Sequence, residues 1–289
     1  MLRLSAARLN MGLGDAYVKK VFDNVASKYD LMNDVLSVGV HRIWKKHFVE
    51  NCVAPIAGGK YLDVAGGTGD IAFKIADIVR TQEHSFGLVP KASTDTKIIV
   101  CDINQKMLDE GKKRAEREGY FDLEWVCCNG EELPFESETF DSYTVSFGIR
   151  NFSDRPKALR EAHRILKVGG VLNILEFSKV TCPLLSVPYD VWSYGFMPQA
   201  GRIAGDEESY RYLVDSIRAF PDQETFAQMI RDAGFGYVRY ENLTSGIACI
   251  HTGVKTTPLE AKDEPSPIEK VKAAAAAAPV EPERAPTPA

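Results

Sequence analysis

The stretch from Tyr61 to Asp70 constrains the fold more than any other part of this chain. Mostly apolar residues, with Tyr61, Leu62, Val64 and Ala65, run into a sharp turn of sequence Gly-Gly-Thr-Gly. From Asp70, the expected N-cap, apolar residues recur at helical spacing, so we predict a buried strand, a tight turn and a helix. Glycine tolerates positive φ and lets a ligand approach the backbone. In open α/β sheets, ligands bind beyond the carboxyl ends of the strands, where this turn would lie.

Two kinds of ligand are compatible with the turn. Gly67, Gly69 and Ala72 fit the dinucleotide pattern G-x-G-x-x-G/A, in which a pyrophosphate lies at the helix N-terminus. S-adenosylmethionine has no phosphate and carries a sulfonium cation, which acidic residues would attract. Asp63 and Asp70 flank the turn. We therefore favour this methyl donor over a dinucleotide, and a turn without any ligand is the third alternative.

Strands and helices alternate along the rest of the domain. Five strands separated by helices predict a parallel sheet. The strands after the first are expected at 97–101, 123–128, 140–147 and 171–177, with a loop at 81–96 and a helix at 155–167. A helix and a terminal hairpin, Tyr237–Leu243 with Ile247–Val254, follow. This ending is typical of class I S-adenosylmethionine-dependent methyltransferases, so we predict an α/β fold of that class. It would contain a mostly parallel seven-stranded sheet, helices on both faces and a terminal antiparallel hairpin.

Polar residues follow the second and third strands. Asp102 ends the second strand, where a carboxylate can accept both hydroxyls of a ribose. Asn129 and Gly130 follow the third strand, where backbone and amide groups can contact an adenine. The alternatives are an N-cap at Asp102 and a simple turn at Asn129-Gly130.

Composition excludes several classes of protein. The formal net charge is −5 and the isoelectric point is about 5.7, which argues against binding nucleic acid by phosphate neutralisation. No run of eighteen apolar residues occurs, so no membrane-spanning helix is expected. The six cysteines form no C-x-x-C pair or zinc spacing, so we predict no metal site and reduced thiols.

The chain is expected to divide into a folded domain and two extensions. Residues 1–14 contain two arginines and no acid, and are interpreted as disordered or as the remnant of a presequence. The methyltransferase domain is expected at 15–255, with an N-terminal helical cap at 15–52 and an aromatic insertion at 178–220 that covers the substrate. Residues 256–289 are rich in Pro and Ala and are expected to be disordered.

Longer stretches of the chain resemble the ubiquinone/menaquinone biosynthesis C-methyltransferase family. The run SFGIRN at Ser146–Asn151 and the N-terminal block are the specific parts of the resemblance, whereas the glycine turn is common. Together the matching stretches span nearly all of residues 17–254. They lie at 21–45, 61–72, 101–108, 140–154, 165–179 and 210–235.

The resemblance implies a substrate, a cofactor and a location. Family members methylate 2-methoxy-6-polyprenyl-1,4-benzoquinol, and mitochondrial members act as peripheral proteins at the matrix face of the inner membrane, within a coenzyme Q synthesis assembly. A homodimer is one option for the oligomeric state. Family members often carry alanine where this chain has Gly130. The implied S-adenosylmethionine contacts are Thr68, Asp102, Asn129, Gly130 and Ser146, beside Gly67 and Gly69 of the turn.

Catalysis is assigned to the segment after the fourth strand. Arg150 stays charged at neutral pH and is expected to stabilise a substrate phenolate, directly or through a water, while Asn151 orients the quinol. His41, His47 and His163 are weaker candidates for a base, because each lies on a predicted helix and is expected to be a partly exposed surface residue. The residues that could close over the methionine end of the donor are Tyr29, Asp30 and Asn33.

Three functional alternatives remain open from the residues. A small-molecule O-methyltransferase would share the donor site, because the sequence does not show which substrate atom faces the sulfonium. A NAD-dependent oxidoreductase would need nicotinamide contacts and a proton donor, which we cannot assign. A non-catalytic scaffold subunit would not need the glycine turn, Asp102 or Arg150.

Overall fold

The computed structural model describes residues 37, 39–85, 96–196 and 207–256. The expected extension at 1–14, nearly all of that at 256–289, and Tyr29, Asp30 and Asn33 lie outside these residues. The helices are α1 (Val40–His47), α2 (Asp70–Ser85), α3 (Gln105–Glu118), α4 (Arg155–Ile165), α5 (Pro183–Asp190), α6 (Glu207–Ala219) and α7 (Gln223–Asp232). The strands are β1 (Lys60–Val64), β2 (Lys97–Asp102), β3 (Leu123–Cys127), β4 (Phe140–Ser146), β5 (Leu166–Phe177), β6 (Phe235–Leu243) and β7 (Ala248–Lys255).

The strands form one seven-stranded sheet in the order β3-β2-β1-β4-β5-β7-β6. Strands β1 to β5 pair in parallel, and β7 is antiparallel to both β5 and β6. The prediction of a mostly parallel sheet with a terminal antiparallel hairpin is therefore confirmed. The strand order reverses between β1 and β4, so the carboxyl end of β1 lies at the crevice where such sheets bind ligands.

Helices cover both faces of the sheet. Alternate residues of a strand point to opposite faces. On β1, Leu62 packs into one core with Leu159 of α4, and Tyr61 packs into the other core with Ile75 of α2. Among the described residues, no helix has the length and apolar character needed to span a bilayer.

Two boundaries differ from the sequence predictions. Residues from Thr81 onward were expected in a loop, but α2 continues to Ser85. The Gln82 side chain bonds to the backbone before β1, accepting from Ala57 N and donating to Pro55 O, which holds this last turn in place. Strand β5 begins at Leu166, inside the expected end of α4, because this fully buried residue pairs with β4.

Candidate functional site

A cavity opens at the carboxyl ends of β1, β2, β3 and β4, beside the glycine turn. Seven of the nine predicted site residues line it, and the exceptions are Gly69 and Arg150. The seven are Gly67, Thr68, Asp102, Asn129, Gly130, Ser146 and Asn151. The sequence pattern therefore located the cavity, because all these residues follow the ends of neighbouring parallel strands.

Two glycines of the turn, Gly67 and Gly69, have different structural roles. Gly67 and Gly69 both have positive φ, of 55° and 85°. Gly67 lines the cavity, whereas a Cβ on Gly69 would lie 2.6 Å from the ring of Trp125. Gly69 was predicted to contact the cofactor, but in the structure it allows the turn to pack against β3.

Replacing Gly69 by alanine is therefore expected to destabilise the fold. The left-handed conformation costs a residue with a side chain about 1–2 kcal/mol, and overpacking costs about 1–3 kcal/mol more. Gly119 is a matched control because its φ is 82° and a Cβ there would meet nothing within 4 Å. In urea unfolding, Gly69→Ala should lower the free energy of unfolding more than Gly119→Ala. Equal losses of unfolding free energy in the two variants would show that the Trp125 ring does not exclude a side chain at position 69.

Asp102 joins the end of β2 to the glycine turn. Its carboxylate accepts hydrogen bonds from the backbone N–H groups of Gly67, at 2.9 Å, and Asn104, at 2.8 Å. Removal from bulk solvent raises the pKa of Asp102 to about 6, and the backbone donors oppose this shift. The carboxylate lines the cavity and is held in place, as a group that binds a ribose diol must be.

Two polar atoms at the cavity have no partner in the described structure. Asp63 is fully buried; its Oδ1 accepts from Thr144 Oγ1 at 2.8 Å, and its Oδ2 has no hydrogen-bond partner. Ser146 Oγ is also buried without a partner. Burial raises the pKa of Asp63 to about 7. Since buried polar atoms are normally satisfied, these two atoms fit a polar, cationic ligand.

The sequence did not predict Lys45 as part of the site. Its Nζ lies 2.9 Å from Asp70 Oδ2, and both residues line the cavity. Lys45 and Arg114 hold the pKa of Asp70 well below its usual range, against the effect of burial. The expected N-cap carboxylate is thus an ion-pair partner that joins α1 to the start of α2. Lys45 lies 25 residues before Asp70, so local spacing could not reveal this contact.

Asn129 and Gly130 form a tight turn against the cavity wall. Asn129 Oδ1 accepts from the N–H of Glu131 at 2.9 Å. A Cβ on Gly130 would lie 2.8 Å from the ring of Phe152, so glycine lets this ring pack close to the turn. An alanine at this position would require Phe152 to shift.

Arg150 lies behind the cavity, in a buried ion pair. Its Nη1 is 2.9 Å from Glu176 Oε1, and the two side chains are 4% and 1% exposed. Its guanidinium also donates to Ser216 Oγ at 3.3 Å and to the carbonyl of Phe147. Asn151 lines the cavity, and its Oδ1 accepts from the hydroxyl of Tyr212 at 2.9 Å. The sequence did not reveal Glu176 as the partner of Arg150.

None of the three candidate histidines is among the residues that line this cavity. His41 is buried and bonds to Ser37 Oγ at 2.6 Å. His163 is buried against the ring of Phe235, and His47 bonds to a surface carboxylate. Burial of His41 and His163 contradicts the expectation that both are partly exposed surface residues.

The expectation that all cysteines are reduced is wrong for one pair. Cys101 and Cys128 form a disulfide, with their Cα atoms 6.2 Å apart. They meet because β2 and β3 are neighbours in the sheet. Since Cys101 precedes Asp102 and Cys128 lines the cavity, the bond joins the two chain segments that carry Asp102 and Asn129.

The sheet order and the glycine-turn cavity define a class I S-adenosylmethionine-dependent methyltransferase fold. A solved S-adenosylmethionine-dependent methyltransferase from Thermotoga maritima, described as a possible histamine N-methyltransferase, has this fold. Its TM-score is 0.54 at 18% identity, over 82% of this chain and 98% of that chain.

Sequence comparison identifies the family. The model of the ubiE/COQ5 methyltransferase family matches residues 10–255, so the chain belongs to this family, and S-adenosylmethionine is its methyl donor. A Leishmania donovani protein named 2-methoxy-6-polyprenyl-1,4-benzoquinol methylase, mitochondrial, is 78% identical, over 89% of this chain and 90% of its own length. A Homo sapiens protein of the same name is 47% identical, over 82% of this chain and 79% of its own length. The dinucleotide alternative is therefore wrong.

Proposed function

We propose that this chain methylates a ring carbon of a 2-methoxy-6-polyprenyl-1,4-benzoquinol in ubiquinone biosynthesis. The observation that carries the proposal is the identity of 78% across 89% of the chain to a relative named for this substrate. The cavity beside Asn151 supports it, because a substrate held there would lie next to the donor site.

The donor site is proposed to use side chains and backbone from four strand ends. Asp102 binds the ribose, and the backbone at Asn129 and Gly130 contacts the adenine. The unpartnered oxygen of Asp63 faces the cationic half of the donor. The remaining contacts are assigned to Gly67, Thr68 and Ser146, while Gly69 shapes the turn. Bound S-adenosylmethionine supplies an electrophilic methyl group.

The substrate side is proposed to depend on Arg150 and Asn151. A ring carbon becomes a good nucleophile when a neighbouring hydroxyl loses its proton, which costs about 4 kcal/mol at pH 7 for a phenol that titrates near 10. Asn151 orients the ring from the cavity wall. Arg150 lies behind this wall, and its positive charge stabilises the phenolate. The paired carboxylate of Glu176 weakens this stabilisation. Holding both reactants in place contributes about 7–11 kcal/mol more.

Donor affinity should depend on pH. The pKa of Asp102 is raised to about 6 and that of Asp63 to about 7, so both carboxylates are ionised at pH 8 and become protonated as the pH falls towards 5. The ionised forms attract the sulfonium and accept ribose hydroxyls. Calorimetry should therefore show tightest binding above pH 7 and weaker binding at lower pH. In Asp102→Asn, the part of this dependence centred near pH 6 should disappear; an unchanged profile would contradict this assignment.

The proposed reaction can be tested in a cell that lacks its own ring C-methyltransferase. Expression of this chain should restore ubiquinone, and mass spectrometry of extracted quinones should show loss of the lighter, unmethylated species, 2-methoxy-6-polyprenyl-1,4-benzoquinol or its quinone. The Asp102→Ala variant serves as an inactive control. If the lighter species persists although the expressed protein binds S-adenosylmethionine, the proposed substrate is wrong.

The proposed location is the matrix face of the mitochondrial inner membrane, as a peripheral protein associated with other enzymes of coenzyme Q synthesis. Relatives named as mitochondrial support the organelle. In the proposed arrangement, the segment 178–220 covers the prenylated substrate. Described parts of it already pack beside the site, since Tyr212 and Ser216 of α6 bond to Asn151 and Arg150. Release of the chain from membranes by alkaline carbonate would support peripheral attachment; retention with integral proteins would contradict it.

A further inference from the structure

Away from the donor cavity, three metal-binding side chains converge where α1 ends beside β6. His47 Nε2 lies 2.9 Å from Glu241 Oε1. The ligand atoms of His47, Cys52 and Glu241 all lie within 4.8 Å of one another. His47 and Cys52 are half-buried, and Glu241 is exposed on β6, at the edge of the sheet. An imidazole, a thiol and a carboxylate therefore meet at a place that solvent ions can reach.

The local backbone explains why His47 and Cys52 meet. In an α-helix, residues five apart point about 140° away from each other. Here α1 continues into a π-helical turn, Phe48–Val53, closed by a hydrogen bond from Ala54 N to Val49 O of 2.9 Å. The wider turn brings residues five apart, such as His47 and Cys52, to the same side of the helix. Single π-helical turns are common at functional sites.

The three side chains match the chemistry of zinc. Zinc binds sulfur at about 2.3 Å and imidazole nitrogen at about 2.0–2.1 Å, which in a tetrahedron places ligand atoms roughly 3.3–3.6 Å apart. The three ligand atoms lie within 4.8 Å of one another, so small side-chain rotations would bring them to these distances around an ion. The Asn51 amide lies 3.1 Å from His47 Nδ1. With this amide turned so that its oxygen accepts the Nδ1–H of His47, it would orient the ring with the Nε2 lone pair towards the ion.

We propose that His47, Cys52 and Glu241 bind one zinc ion, with water as the fourth ligand. Binding releases the Cys52 thiol proton to solvent, so it is favoured at higher pH. Burial and the Glu241 carboxylate raise the pKa of the Cys52 thiol, and a bound cation reverses this effect. No metal spacing is visible in the sequence because Glu241 lies 194 residues after His47.

The proposed ion would have a structural role. None of its three ligands lines the donor cavity. The ion would tie α1 to β6, and α1 carries Lys45, which pairs with Asp70 at the cavity. A second link between the same regions already exists, from Trp44 Nε1 to Thr244 Oγ1 at 3.0 Å. Zinc is thus expected to stabilise the position of α1 without taking part in methyl transfer.

Cobalt(II) titration of the full, untagged chain tests the proposal, because a thiolate ligand gives a charge-transfer band that oxygen and nitrogen ligands do not. One equivalent of cobalt should produce this band, and zinc should abolish it by displacement. Cys52→Ser should remove the band. His47→Gln and Glu241→Gln should each weaken cobalt binding at least tenfold, and Asn51→Ala about tenfold. Zinc should also raise the melting temperature of the wild-type chain but not that of Cys52→Ser.

Cys182→Ser is the matched control, because it removes another half-buried free thiol outside the cluster. It should leave the band and the zinc effect on melting unchanged. Absence of a thiolate band in the wild-type chain would overturn the proposal and leave His47 and Glu241 as a hydrogen-bonded surface pair. A band that persists in Cys52→Ser would overturn it as well.

Discussion

Replacing Asp102 by alanine is expected to weaken S-adenosylmethionine binding by at least ~100-fold. Hydrogen bonds to a charged group contribute about 1.5–3 kcal/mol each, and the proposed ribose contact has two of them. The substitution also removes the acceptor for the N–H groups of Gly67 and Asn104, which loosens the turn. The dissociation constant from calorimetry at pH 8 is the measurement, because both cavity carboxylates are then ionised.

Two further variants make this result specific to Asp102. Asp102→Asn keeps one acceptor oxygen for the backbone and should give an intermediate loss of affinity. Asp109→Ala removes an exposed carboxylate on α3 that bonds to the Gln105 side chain, and should leave affinity unchanged. A dissociation constant for Asp102→Ala equal to that of the wild-type chain would remove Asp102 from the ribose site.

Replacing Arg150 by alanine is expected to lower turnover by orders of magnitude while donor binding remains. The structure adds a second effect, because the variant leaves Glu176 buried without its ion-pair partner. Removing one partner of a buried pair costs about 3–5 kcal/mol. The free energy of unfolding must therefore be measured beside turnover, since an unfolded variant would also be inactive.

A double variant separates the two effects. Arg150→Met with Glu176→Gln removes both charges and leaves an amide that can still accept from the N–H of Phe177. Such an uncharged pair is expected to recover most of the free energy of unfolding. Replacing both partners of a buried ion pair by uncharged residues often leaves stability unchanged. If the folded double variant stays inactive, the charge of Arg150 is needed for the reaction. Turnover near the wild-type level would instead assign Arg150 to packing.

The parts of the fold that were predictable depend on short-range patterns. The strand, glycine turn and helix around Gly67 lie within one stretch of sequence, and the alternation of strands and helices fixes a parallel sheet. Asp102 could be placed for the same reason, since the ends of parallel strands meet at one edge. The predicted boundaries near Thr81 and Leu166 were wrong because contacts with distant segments determine them. Gln82 bonds to the backbone before β1, and Leu166 pairs with β4.

The electrostatics of the site could not be predicted from local sequence. The partner of Asp70 is Lys45, which reaches the cavity from α1, and the partner of Arg150 is Glu176 at the end of β5. The raised pKa of Asp63, to about 7, results from complete burial that only the packed sheet reveals. Each of these properties depends on residues far apart in the chain.

The most direct test of the function is to identify the atom that receives the methyl group. The purified chain is incubated with S-adenosylmethionine labelled with carbon-13 in the methyl group and with a reduced short-prenyl analogue of 2-methoxy-6-polyprenyl-1,4-benzoquinol. Carbon-13 NMR of the product should show one labelled methyl group bonded to a ring carbon. A labelled methyl group on oxygen, or no transfer by a folded chain that binds the donor, would contradict the proposed reaction.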